Sequence, residues 1–120
     1  MTRSFLRAAE GATAVEFALT SPVYFLALFG LAQVGLWLWA DFSLQSAVNA
    51  ASRCAALGTC AYGDAKAAAV RATVGLPISA GAFAVTSPSC GTQVAANYPV
   101  PTFIPALPNI TVNVSACYPK

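Results

Sequence analysis

The sequence predicts an α+β protein. It should consist of a long N-terminal membrane-spanning helix, extended beyond the bilayer, and a small disulfide-stapled head with a short helix and a two- to three-stranded antiparallel β-sheet. Three observations predict this. Residues 17–40 carry no charge. No proline interrupts the chain between Pro22 and Pro77. From Leu76 onward, Gly and Pro punctuate short stretches in which apolar and small polar residues alternate.

Composition narrows the function classes. The chain has 120 residues, 58% hydrophobic and 8% charged, with a mean hydropathy of +0.66. That is too apolar for an ordinary soluble domain. A net charge of +2 with no Lys/Arg run argues against nucleic-acid binding. Histidine is absent, which removes the commonest general base and metal ligand. Beyond residue 40 the acids are Asp41 and Asp64, so acid/base catalysis by paired carboxylates is not expected. No G-x-S-x-G nucleophile motif occurs. The expectation is a non-enzymatic protein with no cofactor, no metal and no small-molecule substrate.

The elements follow in order. Residues 1–11 form a short leader holding Arg3 and Arg7. Residues 12–57 read as one continuous helix, of which 17–40 would cross the membrane. At 1.5 Å per residue that stretch spans about 36 Å, enough to cross a hydrocarbon core of about 30 Å with some tilt. Pro22 is tolerated in such a helix. Gln33 reads as a helix–helix hydrogen-bonding residue. Tyr24, Trp37 and Trp39 read as lipid anchors. No Lys or Arg follows the span until Arg53, so the N-terminus should remain cytoplasmic and the C-terminus be exported. A cleaved secretory signal fits less well, because its apolar core is usually about 7–15 residues long.

After Asp41 the helix keeps its period. Leu44, Ala47, Val48, Ala51, Cys54 and Ala55 share a face, opposite Ser43, Ser46, Asn49 and Arg53. That Ala-rich face suits close packing against partner helices. Gly58 is the expected stop. Asp64 reads as the N-cap of a second helix over 65–74, ended by Gly75 and Pro77. Lys66 and Arg71 read as its solvated face. Phe83–Thr86 and Ile110–Ser115 read as strands that join either as an antiparallel hairpin or within a small sheet. Tyr98 to Pro108, with prolines at 99, 101, 105 and 108, reads as an extended loop and not as a central strand.

Export would place Cys54, Cys60, Cys90 and Cys117 in an oxidising compartment, where an even count reads as disulfides. Of three connectivities, Cys54–Cys60 and Cys90–Cys117 keep each pair within a local unit. Zinc is disfavoured because no C-x₂₋₄-C pair or histidine is present. The sequons at Asn109 and Asn113 are discounted.

One further feature carries function. Gly11-Ala12-Thr13-Ala14-Val15-Glu16-Phe17 sets a single carboxylate five positions after a glycine, at the start of the span. An acid there is costly, and such residues mark functional sites. With Ala18, Leu19, Pro22 and Val23 behind it, this motif resembles the start of TadE-like pseudopilins, the minor pilins of the tight-adherence (Tad, Flp-type) pilus. Residues 50–58, Ala-Ala-Ser-Arg-Cys-Ala-Ala-Leu-Gly, resemble the helix end of the same family.

The resemblance implies a bacterial inner-membrane protein with a cytoplasmic N-terminus and a periplasmic head. A prepilin peptidase would cut between Gly11 and Ala12, and Glu16 and Phe17 would belong to the processing and assembly motif. The partners would be other pilin or pseudopilin subunits, the Tad assembly platform and membrane lipid. The implied role is pilus assembly for adhesion and biofilm formation. Two alternatives remain open: an uncleaved single-pass anchor presenting a binding head, and a minor pseudopilin of another type IV-like secretion system.

Overall fold

The computed structural model describes residues 3–60, 62–104 and 107–119. Met1 and Thr2 of the expected leader, and Pro105 and Ala106 of the expected loop, lie outside the described residues. The elements run α1 (Arg3–Ala56), α2 (Tyr62–Ala72), a short 3₁₀ turn (Ala80–Ala82), β1 (Phe83–Thr86), β2 (Thr92–Val100) and β3 (Ile110–Tyr118). The α+β class is as expected, with a three-stranded antiparallel sheet in the order β1-β2-β3. The chain divides into one unit up to Val34 and a second from Gly35 onward.

The first unit is helix alone. It begins at Arg3, earlier than the expected Ala12, and continues through Gly11 with Pro22 inside it. Its side chains from Gly11 onward are almost all exposed, including Phe17, Leu19, Val23, Leu26 and Leu31. Thr20 satisfies its hydroxyl on the preceding turn, donating to the Glu16 carbonyl at 3.0 Å and to the Phe17 carbonyl at 3.3 Å. Gln33 is buried.

The second unit contains the core. Ala40, Leu44, Ala47, Val48 and Ala51 of α1 join Ala69 of α2, Phe83 of β1, and Val94, Ala96, Tyr98, Val100, Val112 and Val114 of the sheet. The Ala-rich face was expected to pack against partner helices. Instead the protein's own core covers it: Leu44, Ala47, Val48 and Ala51 are fully buried. Alanine lets a helix approach a sheet closely, so the same small side chains serve intrachain packing.

α1 ends in a Schellman arrangement. Gly58 takes φ +67°, its N–H donates to the Ala55 carbonyl, and the Thr59 N–H donates to the Cys54 carbonyl. The expected stop is therefore the observed one. α2 starts at Tyr62, so Asp64 is in its first turn and not at the expected N-cap position. There the carboxylate still opposes the positive end of the helix dipole.

Of the two expected arrangements, the small sheet is the observed one and the hairpin is not. β1 and β3 do not form a hairpin with each other; both pair with β2, from Phe83↔Ala96 to Thr86↔Gln93 and from Thr92↔Tyr118 to Val100↔Ile110. The stretch 98–100, assigned to a loop from its prolines, is the end of that central strand. Pro99 fits because β1 reaches only as far as Ala96, so β2 has one neighbour at Pro99, the Thr111 of β3. A proline without an N–H is tolerated where one strand edge is open.

Both disulfides join the cysteines that local pairing favours. Cys54–Cys60 spans the helix end and Cys90–Cys117 ties the β1–β2 connection to the end of β3, with Cα separations of 5.6 and 6.4 Å. Gly91 beside the second bridge has φ +128°, and a Cβ there would collide with the Tyr118 carbonyl oxygen.

Candidate assembly site

The residues singled out by the motif lie on one exposed stretch of α1. Gly11, Ala12, Glu16 and Phe17 are all exposed, and a Cβ at Gly11 would meet no atom within 4 Å. Ala12, Glu16 and Thr20 are four residues apart and form one stripe on the helix. The Gly11–Ala12 peptide lies within continuous helix, and glycine lowers the cost of opening a turn there by roughly 1 kcal/mol relative to alanine. Shortening the helix to begin at Ala12 would put Glu16 beside the unsatisfied N–H groups of a new first turn, where a carboxylate is favoured.

A second feature escaped the sequence reading. Trp39, expected as a lipid anchor, also holds the connection after α2. Its indole N–H donates to the Val74 carbonyl at 3.1 Å, while the Val74 N–H donates to Ser43 Oγ at 3.0 Å. Trp39 and Ser43, one turn apart on α1, thus grip both backbone groups of one residue. Shallow clefts flank the indole. One of about 220 Å³ includes Phe42, Ser46 and Ala72. The other, of about 210 Å³, includes Leu36, Leu76, Pro77 and Tyr98. The sequence signal was the pair Trp39 and Ser43 at i, i+4, but nothing in the sequence marks Val74 as its partner.

Among the described residues, no three His, Cys, Asp or Glu side chains gather into a group that could hold a metal ion. The four cysteines are engaged in the two disulfides.

By length and composition, the helix stretch Gly11–Ala56 is able to cross a membrane, which is compatible with a single-pass membrane protein. Neither the curated proteins nor the solved structures include a match to the chain. Residues 11–53, which carry Gly11, Ala12, Glu16, Phe17 and α1 as far as Arg53, match the model of the family described as TadE-like protein.

Proposed function

We propose that this chain is a minor pilin of a Tad-type pilus. It is anchored in the bacterial inner membrane by α1, with its N-terminus cytoplasmic and its head periplasmic. A prepilin peptidase cuts it after Gly11, and the mature helix assembles with other pilin subunits at the Tad platform. The resulting pilus serves adhesion and biofilm formation at the cell surface. The observation that carries this reading is the family match over residues 11–53, whose first residue is the glycine before the proposed cut. The role is structural and not catalytic.

The chemistry of the site supports the same reading. Cleavage exposes an ammonium at Ala12 in or near the membrane, where it and the Glu16 carboxylate each carry a desolvation penalty. Pairing the Glu16 of one subunit with the amine of a neighbour offsets part of that penalty and sets the register between helices. Glu16→Ala tests the pairing directly. The variant is expected to insert and to be processed, but to be lost from purified pili. Wild-type incorporation of Glu16→Ala would refute the assembly role of the carboxylate.

A further inference from the structure

Val74 is apolar, lies in non-helical backbone after α2, and is 63% exposed. Both of its backbone polar groups are nevertheless bonded within the protein, to Ser43 and Trp39. Two other N–H groups of the stretch are also bonded. The Thr73 N–H donates to the Ala69 carbonyl and the Ile78 N–H to the Leu76 carbonyl, at 3.1 and 2.9 Å. Pro77 has no N–H to satisfy. Facing water, these groups would need no internal partners. In an apolar medium, irregular backbone is tolerated only when its polar groups are paired within protein.

The surroundings are of the same kind. Trp39 and Phe42 are 54% and 72% exposed, and the clefts flanking Trp39 have no charged side chain in their linings. Trp39 is at the end of the uncharged run 17–40, and Phe42 follows it within one turn of the same helix. A span of about 36 Å is longer than the hydrocarbon core, so chain continuity alone brings these two residues to the bilayer surface. Asp41 adjoins Phe42 in sequence and Arg71 precedes Val74 by three residues, both exposed. One charge of each sign suits a zwitterionic phospholipid headgroup.

We propose that Trp39, Phe42 and Val74 form a ridge by which the head docks onto the exported leaflet of the membrane that α1 spans, at the boundary between headgroups and acyl chains. The occupant of this surface is phospholipid. The inference rests on the membrane-spanning reading of α1. It adds that the connection after α2, far from the span in sequence, is itself a membrane contact.

Photocrosslinking of the full chain in phosphatidylcholine nanodiscs tests it. A benzophenone side chain replaces Val74, Phe29 within the span, or Ser115 on the exposed face of β3, in three separate proteins. Intact mass with thiol alkylation verifies that both disulfides are retained. The expected result is lipid adduct from positions 29 and 74 and its loss at 115. Adduct at 29 without adduct at 74 overturns the docking ridge and leaves the spanning helix standing. No adduct at 29 overturns the spanning reading and the ridge with it. A protein–protein adduct at 74 in place of lipid overturns the assignment of phospholipid as the occupant, as does equal lipid adduct at 115.

Discussion

The two stretches of α1 on either side of Gly35 are the same secondary structure prepared for different surroundings. Before it, from Gly11 onward, large apolar side chains such as Phe17, Leu19, Phe25 and Phe29 are exposed around the helix. After it, the buried positions are small or medium, Ala40, Leu44, Ala47, Val48 and Ala51, and lie on one side. A helix that is apolar all round requires an apolar medium, whereas one with a single apolar stripe requires a core. The first stretch is compatible with a membrane span, and the second depends on the sheet.

Paired substitutions are the strongest way to break this comparison. Phe83 is fully buried in the second unit and Phe25 is half exposed in the first. Phe83→Ala should destabilise the head by about 3–5 kcal/mol, as measured by denaturant unfolding in detergent. Phe25→Ala should leave that transition unchanged. Equal losses would show that the first stretch is also packed against a core.

The disulfides give the next largest effect, also in the second unit. In the loop-entropy description, removing Cys90–Cys117 by paired serine substitution costs about 3–4 kcal/mol, and removing Cys54–Cys60 costs about 2 kcal/mol. The order follows from sequence separations of 27 and 6 residues. Thermal unfolding of the two double variants would read the difference, and a reversed order would show that native-state strain outweighs loop closure.

A smaller effect sharpens the account of the core. Thr92 is fully buried, and its hydroxyl has no hydrogen-bond partner. Thr92→Val removes an unsatisfied polar group at nearly constant shape. It should be neutral or stabilise by up to about 1 kcal/mol. A clear loss of stability on denaturant unfolding would mean that the hydroxyl is satisfied in solution.

Much of this was legible in the sequence, for physical reasons that differ by element. The helix was readable from an uncharged run and an uninterrupted period, and its end from the glycine that a left-handed C-terminal turn requires. β3 was readable because Ile110, Val112 and Val114 alternate with polar residues. β2 was obscured. Its inward residues Thr92, Val94, Ala96, Tyr98 and Val100 do alternate, but Ala95 and Ala96 blur the contrast and Pro99 argues against a strand. The open edge that admits Pro99 is a property of strand length, and this appears only once the pairing is known. The grip of Trp39 and Ser43 on Val74 was unreadable for a similar reason, since it joins a side-chain pair to a backbone 31 to 35 residues away. At the assembly motif, Gly11 and Glu16 were legible as spacing. Their exposure on one continuous helix came from the fold.

The central claim is that α1 becomes a membrane-embedded assembly helix once the residues before Ala12 are removed. Intact-mass analysis and N-terminal sequencing of protein extracted from membranes of cells with an active prepilin peptidase test it most directly. The account predicts a mature chain that starts at Ala12. A chain retaining Met1 to Gly11 in those cells would contradict it.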